Sequence, residues 1–286
     1  MYYQTLSIGH RKKFIFNFSE ICYALSNLTK NGVTMTMIIA FFILSWYLSL
    51  FMQTTFMHRY ASHRMFTMGP KTEKVFFVLS WLFQGPSYLS ANAYGILHRM
   101  HHANTDTEDD PHSPSYDRSM LAMMWRTAII YTEILSKKRA IDPRYLKNLP
   151  TWDTFDRFAS SWKSRVAWGI LYFAFYVWAS PPIWMYALLP IQWAMGPVHG
   201  AIINWCAHKW GYRNFNTKDT SKNFLPLDLL MIGESYHNNH HANQKSPNFG
   251  TRFFEIDLSY QVIRLLNWIG IIKLTQITLS PTNDEN

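Results

Sequence analysis

The sequence predicts an all-α integral membrane protein, and three observations support this fold class. Of the 286 residues, 48% are hydrophobic and 16% are charged, whereas a soluble domain has roughly 25% charged residues. Long stretches contain no Asp, Glu, Lys or Arg, and no segment shows the polar–apolar alternation of a half-buried strand. The two cysteines are too few for a disulfide scaffold, a cysteine-rich zinc module or an iron–sulfur cluster.

The charge-free stretches predict the membrane segments. Residues 33–57 are long enough to cross a bilayer as one helix. Residues 166–204 are interrupted by the proline pair at 181–182, which predicts a membrane hairpin of two crossings. A Gly-Pro pair divides residues 75–97 into two arms of about ten residues each, a length typical of a re-entrant or interfacial hairpin.

The distribution of Lys and Arg predicts which side of the membrane the other regions occupy. Residues 58–165 and 205–286 hold most of these basic residues, so both regions are predicted to be cytoplasmic. Residues 1–32 are predicted to form an N-terminal interfacial segment, because residues 14–28 are amphipathic rather than uniformly apolar. The whole chain, 1–286, is therefore predicted to be a single membrane-embedded domain with a cytoplasmic helical cap.

Helical patterns predict the remaining elements. They give a long helix over 33–64, two short helices over 74–102, and helices over 118–139, 152–165 and 227–241. A last amphipathic helix is predicted to follow a cap at Asp257 or Ser259.

Eight of the 12 histidines form three short clusters: His58 and His63; His98, His101 and His102; His237, His240 and His241. A ninth, His208, follows Asn204 by four residues, so both lie on one helical face at the end of the last predicted crossing. Neutral imidazole binds iron, copper, zinc or nickel, and nine such ligands exceed what one ion can use. The clusters therefore predict a histidine-rich site for two metal ions.

The first cluster leaves two geometries open. His58 and His63 are five residues apart, which is about 140° of rotation on an ideal α-helix. They therefore either bind different metal ions or lie where the helix ends. His10, His112 and His199 are not predicted to bind metal, because an isolated histidine is more often an inert, hydrogen-bonded residue.

The three clusters resemble the histidine boxes of the membrane fatty acid desaturases, in the order His-x4-His, His-x2-His-His and His-x2-His-His. Asn204 with His208, and residues 106–114 after the second box, are similar to the acyl-CoA (stearoyl-type, delta-9) desaturase branch in its bacterial form. The resemblance implies a di-iron enzyme that uses O2 and two external electrons to insert a cis double bond into a saturated acyl chain, carried on CoA. It also implies a multi-pass protein of the bacterial inner membrane, with the active site on the cytoplasmic side.

The resemblance implies roles for individual residues. Asn204 would hold one iron through a water molecule. The metal ligands would be the nine clustered imidazoles: His58, His63, His98, His101, His102, His208, His237, His240 and His241.

Other residues near the boxes are predicted to act on the ligands or on the substrate. Glu234, three residues before His237, is predicted to orient an imidazole. Phe42, Trp46 and Tyr47 are candidates for the far end of an acyl tunnel, although packing against the core or lipid is the simpler interpretation. Arg59, Arg64 and Arg99 alternate with the ligands and are predicted to meet the phosphates of an acyl carrier or only the acidic turn.

The chemistry explains why such a site is needed. An unactivated methylene has no acidic proton and no leaving group, so acid–base and nucleophilic catalysis cannot act on it. Two iron ions with O2 as co-substrate would supply the oxidising power, while the protein binds and orients the chain.

Three alternative functions were compared with this prediction. A membrane hydroxylase of the same superfamily has the same clusters and stays open. A metal transporter or sensor is disfavoured, because the predicted spans hold no carboxylate and the clusters lie at one surface. A carboxylate-type di-iron bundle is rejected, because Glu234–His237 is the single Glu-x-x-His motif in the sequence.

The electrons are predicted to come from another protein. The chain has too few cysteines for a ferredoxin domain and no Gly-x-Gly-x-x-Gly nucleotide fingerprint. We therefore expect an external donor of the ferredoxin, rubredoxin or cytochrome b5 type, with its reductase. The other predicted partners are the fatty acyl substrate and membrane lipid, and no nucleic acid is expected.

Overall fold

The computed structural model describes the backbone of residues 18–275 and the side chains of residues 32–275. This part of the chain is predominantly helical, as the predicted all-α class requires. Its α-helices are α1 (Phe18–Met52), α2 (Pro70–Gln84), α3 (Ala91–Asn104), α4 (Met120–Leu135), α5 (Asp153–Ala159), α6 (Trp162–Ala179), α7 (Leu188–Trp193), α8 (Met195–Ala201), α9 (Ala207–Lys209), α10 (His237–Ala242) and α11 (Leu258–Trp268).

Other regular elements are short. Two π-helices span Gln53–Ser62 and Ile202–Cys206. Three 3-10 segments span Gly85–Ser87, Pro143–Leu146 and Ile183–Ala187. Strands β1 (Phe66–Thr67) and β2 (Lys273–Leu274) pair in antiparallel fashion, with Phe66 opposite Leu274.

Helix α1 is continuous across the predicted border between the N-terminal segment and the first membrane helix. It begins at Phe18, so the predicted boundary at residue 32 is not seen. The one glycine there, Gly32, costs about 1 kcal/mol in a helix, which is too little to end a long apolar helix. Residues 1–17 of the predicted interfacial segment lie outside the described residues. By length and apolar composition, one helical stretch among the described residues is able to cross a membrane, Gly32–Ser62.

Helices α2 and α3 form the short hairpin that was predicted over 74–102, and α3 carries the second histidine cluster. The turn between them contains Gly85, whose φ is +51°, a value that favours glycine. A β-carbon at Gly85 would lie 2.7 Å from the Tyr172 hydroxyl oxygen, so α6 packs directly on this turn. Helix α3 begins after Ser90, whose side chain accepts a hydrogen bond from the Ala93 N–H.

The predicted membrane hairpin over 166–204 has one continuous arm and one broken arm. The first arm, α6, ends at Ser180, which has left-handed backbone angles. The second arm consists of a 3-10 segment, α7, α8 and a π-helix, rather than one crossing helix. Pro190 and Pro197 each lie in the first turn of a short helix, because proline cannot donate the hydrogen bond that would continue a preceding helix.

Two other predicted helices are shorter than expected. Residues 152–165 form α5 and the start of α6, with a break where Ser161 caps α6. Residues 227–236 are a loop, so the predicted helix over 227–241 is wrong for this part. The Asp228 carboxylate accepts hydrogen bonds from the Met231 and Gly233 N–H groups at 2.7 and 2.8 Å. These local bonds satisfy the backbone in a non-helical form.

The cap and the long helix share one hydrophobic core. Buried side chains of the first π-helix, including Phe56, Met57 and Tyr60, pack with Phe77 of α2 and Ile263 of α11. The first histidine cluster is therefore held inside this core.

A buried ion pair ties the first π-helix to α11. Arg59 donates to Thr54 Oγ1 and to Asp257 Oδ2, each at 2.7 Å, and the side chains of Arg59 and Asp257 are fully buried. The Arg59 guanidinium also lies 4.0 Å from the centre of the Phe249 ring. Asp257 caps α11 as predicted, because its Oδ1 accepts from the Tyr260 N–H at 2.9 Å.

We expect Asp257→Asn to lower the free energy of unfolding by about 3–5 kcal/mol, because it leaves the Arg59 charge buried without its partner. Asp153→Asn is the matched control: its ion pair with Lys137 is solvent-exposed, and such pairs contribute about 0–1 kcal/mol. Unfolding in detergent micelles, followed by circular dichroism, measures both. Equal effects of the two substitutions would contradict the role given to the buried pair.

Candidate metal centre

The nine predicted ligands lie in two neighbouring clusters of imidazoles. Cluster A contains His58, His63, His98, His102 and His240, and cluster B contains His101, His208, His237 and His241. Within each cluster the potential ligand atoms lie within 4.8 Å of one another. The clusters are adjacent, because the ring centres of His102 and His241 are 4.5 Å apart.

The Nε2 atoms of cluster A point toward one another. His98 Nε2 lies 2.9 Å from the Nε2 atoms of both His63 and His102, and His58 Nε2 lies 2.9 Å from His240 Nε2. Neutral imidazoles whose lone pairs converge in this way suit a bound metal ion. The residues of cluster A therefore fit one ion.

Cluster B has the same character. His208 Nε2 lies 3.1 Å from His237 Nε2. The buried Nε2 atoms of His101 and His241 have no hydrogen-bond partner within the described part of the chain. Buried polar atoms of this kind are rarely left unsatisfied, so cluster B fits a second ion.

The first π-helix brings His58 and His63 into the same cluster. The His63 N–H donates to the His58 carbonyl at 3.3 Å, a bond between residues five apart. In this geometry residues five apart are neighbours, whereas the 140° separation was calculated for an α-helix. The second alternative therefore holds: His63 lies where the helix ends, and His58 and His63 belong to the same cluster.

The second and third histidine boxes each supply both clusters. On α3, His98 and His102 enter cluster A, while His101 enters cluster B. On α10 the arrangement is reversed, and His240 enters cluster A while its two neighbours enter cluster B. In both helices the pair at i and i+4 stays together, because these positions lie on one side of a helix.

Glu234 contacts a candidate ligand as predicted, but this ligand is His58 and not a residue near it in sequence. Its Oε2 accepts a hydrogen bond from His58 Nδ1 at 2.6 Å, and its Oε1 accepts from the Thr54 hydroxyl. A carboxylate on Nδ1 fixes the tautomer and aims Nε2 at a metal.

Two further carboxylates bind the Nδ1 atom of an imidazole in the same way, and the sequence did not predict this role for them. Asp110 Oδ1 accepts from His101 Nδ1 at 2.9 Å, and Asp219 Oδ2 accepts from His241 Nδ1 at 2.8 Å. Asp110 belongs to the acidic turn after the second box, and its position there was a usable signal. Asp219 lies in a loop with no such signal, since 22 residues separate it from His241.

A small, partly open cavity of about 20 Å³ lies beside the two clusters. His58 and His237 line it from cluster A and cluster B, and Asn204 of the second π-helix lines it as well. Leu50, Ile203 and Met231 form its apolar wall. The cavity therefore offers an apolar surface next to the candidate metal ligands.

The sequence profile described as "Fatty acid desaturase" matches residues 34–253. This range is more than half of the chain and contains all nine clustered histidines. The chain belongs to the fatty acid desaturase family.

Several similar proteins carry a delta-9 desaturase name. The Delta-9 desaturase-like 4 protein of Arabidopsis thaliana is 32% identical over 223 residues, which cover 75% of this desaturase and 68% of the relative. The sn-1 stearoyl-lipid 9-desaturase of Synechocystis sp. is 31% identical over 224 residues, covering 76% and 64%. Delta-9 acyl-lipid desaturase 1 of Arabidopsis thaliana is 32% identical, covering 75% and 67%. The matches thus span about two thirds of these relatives.

The aromatic residues predicted for a tunnel differ in position. Trp46 is next to the cavity, because its ring packs edge-on against His199, a cavity residue, at 4.5 Å between centres. Phe42 stacks on Trp46 at 6.3 Å. Tyr47 is partly exposed and donates to the Leu229 carbonyl at 3.1 Å. Of the three, Trp46 is the one placed to limit the cavity.

The predicted contact with carrier phosphates is wrong for two of the three arginines. Arg59 is fully buried and paired inside the protein. Arg99 donates to four backbone carbonyls, at 2.6–3.0 Å, and these bonds use its guanidinium group. Arg64 is half-buried, with its guanidinium 4.6 Å from the Tyr60 ring centre, and its predicted role stays a prediction.

Burial lowers the pKa of several clustered imidazoles and so favours their neutral form. Burial, and then the charge of neighbouring histidines, lowers the pKa of His102 and His240 well below the usual value. The same causes lower the pKa of His208 to about 3. Burial alone would raise the pKa of Asp219, but its hydrogen bond with His241 outweighs this and lowers that pKa. The site therefore combines imidazoles that favour the neutral form, such as His102 and His240, with an ionised carboxylate at Asp219.

These pKa shifts predict that the metal-depleted desaturase loses stability as the pH falls. In the unfolded chain histidines take up protons below about pH 6.5, whereas His102, His208 and His240 take them up at lower pH in the folded protein, because burial lowers their pKa values. The unfolded state then binds more protons, so the free energy of unfolding falls as the pH drops through this range. Thermal unfolding in detergent at a series of pH values measures the effect.

His240→Gln is the control for this pH series, because it removes one of the titrating groups. Its stability should depend less steeply on pH than that of the unaltered protein. Stability that rises on acidification would contradict the neutral state of the clusters.

Replacing one ligand in each cluster tests whether two ions are bound. We expect His240→Ala to lose the ion of cluster A and His237→Ala to lose that of cluster B, with the double variant losing both, because each ion depends on its own imidazoles. Iron per protein, measured by plasma mass spectrometry, gives the result. His10→Ala should keep the full metal content, and full content in His240→Ala would reject the ligand assignment.

Proposed function

We propose that this chain is a di-iron, O2-dependent fatty acyl desaturase that inserts a cis double bond at the delta-9 position of a saturated acyl chain. The observation that carries the proposal is the pair of imidazole clusters beside a small, partly apolar cavity. Membership of the family supports the desaturation reaction, and the names of the relatives support the position of the bond.

In this proposal each cluster holds one iron ion through its imidazoles, and Asn204 holds one of them through water. When bound, the two ions and O2 supply the oxidising power needed to remove two hydrogens from adjacent methylenes. Iron suits these residues because imidazole ligands bind it well and leave positions for oxygen.

The residues of the chain bind, orient and exclude water. Glu234, Asp110 and Asp219 each hold an imidazole by its Nδ1 atom, so the free Nε2 atom keeps its direction. Leu50 and Met231 offer an apolar wall to the acyl chain. The geometry of this wall selects which two carbons face the metal ions, since a misplaced chain reacts slowly or not at all.

Two carriers for the acyl chain have support. Asn204 with His208, and residues 106–114, resemble the acyl-CoA branch, and this is the carrier we propose first. The second candidate is a glycerolipid, which is favoured by two relatives named as stearoyl-lipid and acyl-lipid desaturases.

The proposal includes a location and an electron supply. The desaturase is a multi-pass protein of the bacterial inner membrane, with its metal centre on the cytoplasmic side. A ferredoxin, rubredoxin or cytochrome b5 type donor with its reductase supplies the two electrons. Gly32–Ser62 supports the membrane location, because it is long and apolar enough to cross a bilayer.

Expression in cells fed isotopically labelled stearate tests this function. We expect labelled monoenes with the double bond at carbon nine, detected by gas chromatography–mass spectrometry after derivatisation of the bond. His240→Ala should give none, because it removes a ligand of cluster A. At early times, labelled monoene that appears first in the acyl-CoA pool supports the first carrier. Labelled monoene that appears first in glycerolipid supports the second.

All cells in this experiment, with the unaltered protein or with His240→Ala, co-express a ferredoxin and its reductase, so that electron supply does not limit the reaction. Hydroxylated chains would replace the proposal with the hydroxylase alternative. A fatty acid profile identical to that of His240→Ala under these conditions would reject desaturation of stearoyl chains.

A further inference from the structure

A leucine-rich loop of the C-terminal region lies against α1. We call residues 227–230 the leucine loop, and its three leucines, Leu227, Leu229 and Leu230, are 53%, 56% and 43% exposed. Three large exposed apolar side chains within four residues form a surface that water does not favour. The loop lies in the region predicted to be cytoplasmic, so its composition needs an explanation.

Two hydrogen bonds fix the position of the leucine loop along α1. Trp46 Nε1 donates to the Leu230 carbonyl at 3.0 Å, and the Tyr47 hydroxyl donates to the Leu229 carbonyl at 3.1 Å. Behind the loop, Met231 and Ile232 pack with Leu50 of α1. The loop is therefore attached to the helix at the level of residues 46 and 47.

Residues 46 and 47 lie inside the bilayer for every position of α1 that buries about 20 of its apolar residues. A crossing needs about 20 apolar residues, and the charged residues nearest the apolar stretch are Lys30 and Arg59. The first possible window is about residues 31–50 and the last about 39–58, so all of them contain Trp46 and Tyr47. A loop bonded to these two residues cannot lie in the water above the membrane.

Several polar groups of the leucine loop are bonded within the protein, which lowers the cost of placing the loop in hydrocarbon. The single charged side chain, Asp228, is fully buried and turned away from the leucines. Its carboxylate accepts from the N–H groups of Met231 and Gly233, and its own N–H donates to the Tyr236 hydroxyl at 3.3 Å. With the Leu229 and Leu230 carbonyls also bonded, the loop presents mainly apolar atoms outward.

We infer that the leucine loop is inserted into the hydrocarbon of the membrane beside α1, where Leu227, Leu229 and Leu230 contact lipid acyl chains. The inference rests on the proposed membrane location and on no property of the metal ions. The sequence predicted that residues 205–286 are cytoplasmic, whereas this inference places residues 227–230 in the membrane.

The insertion brings lipid close to the metal centre. Met231 lines the cavity and directly follows the leucine loop, and Glu234, which holds His58, lies three residues further on. A short stretch of chain thus separates the bilayer from the candidate metal ligands.

Site-directed spin labelling tests the insertion in full-length protein reconstituted into phosphatidylcholine vesicles. Cys22 and Cys206 are first replaced by serine, and a nitroxide is attached at Leu229→Cys or, independently, at Leu227→Cys. We expect both labels to collide more readily with O2, which dissolves in lipid, than with a water-soluble nickel chelate. Bound iron in each labelled protein shows that the fold is kept.

Two exposed positions calibrate the measurement. Ile43→Cys on α1 reports the bilayer, and Lys218→Cys in the loop before His237 reports water. Labels at 227 and 229 that behave like the one at 218 would overturn the insertion and leave the proposed desaturase intact. A label at 43 that is exposed to the chelate would instead overturn the crossing by α1, and the insertion with it.

Discussion

An imidazole binds a metal ion only while it is neutral and keeps one nitrogen free, and the fold around the nine candidate ligands meets this requirement. Burial lowers the pKa of rings such as that of His102, and carboxylates such as Glu234 bind the second nitrogen of others. Glu234 in turn lies 3.8 Å from the Arg59 guanidinium, which pairs with Asp257, the cap of α11. A buried charge costs several kcal/mol unless it is paired, so the ligands, the first π-helix and the last helix depend on one another.

The two π-helices lie where the long apolar segments approach the clusters. Each supplies a residue to the site, His58 in one case and Asn204 in the other. A π-helix has poorer packing around its axis than an α-helix and is seldom longer than one turn. Here every residue of Gln53–Ser62 is buried, and this packing stabilises an arrangement that local propensity would not form.

The cap is not separate from the long helix. The core around Phe56 combines side chains from the long helix, the α2–α3 hairpin and α11. The leucine loop extends down to the level of Trp46, and the cavity lies between this loop and the clusters. In the proposed desaturase an apolar substrate and the surrounding lipid would thus lie close to the candidate metal centre, whereas the Asp219 side is polar and partly exposed.

The amino-acid sequence alone identified the nine candidate ligands that the structure brings together, because metal preference follows from side-chain chemistry and the spacings of three and four follow from helix geometry. It also determined the helical class, from the charge-free stretches. The tertiary structure decided which imidazole enters which cluster, how Asp219 reaches His241, and why Arg59 faces the interior. These features depend on contacts between residues far apart in the chain. The π-helix also gives a rotation per residue different from that of an α-helix, so the 140° between His58 and His63 does not apply.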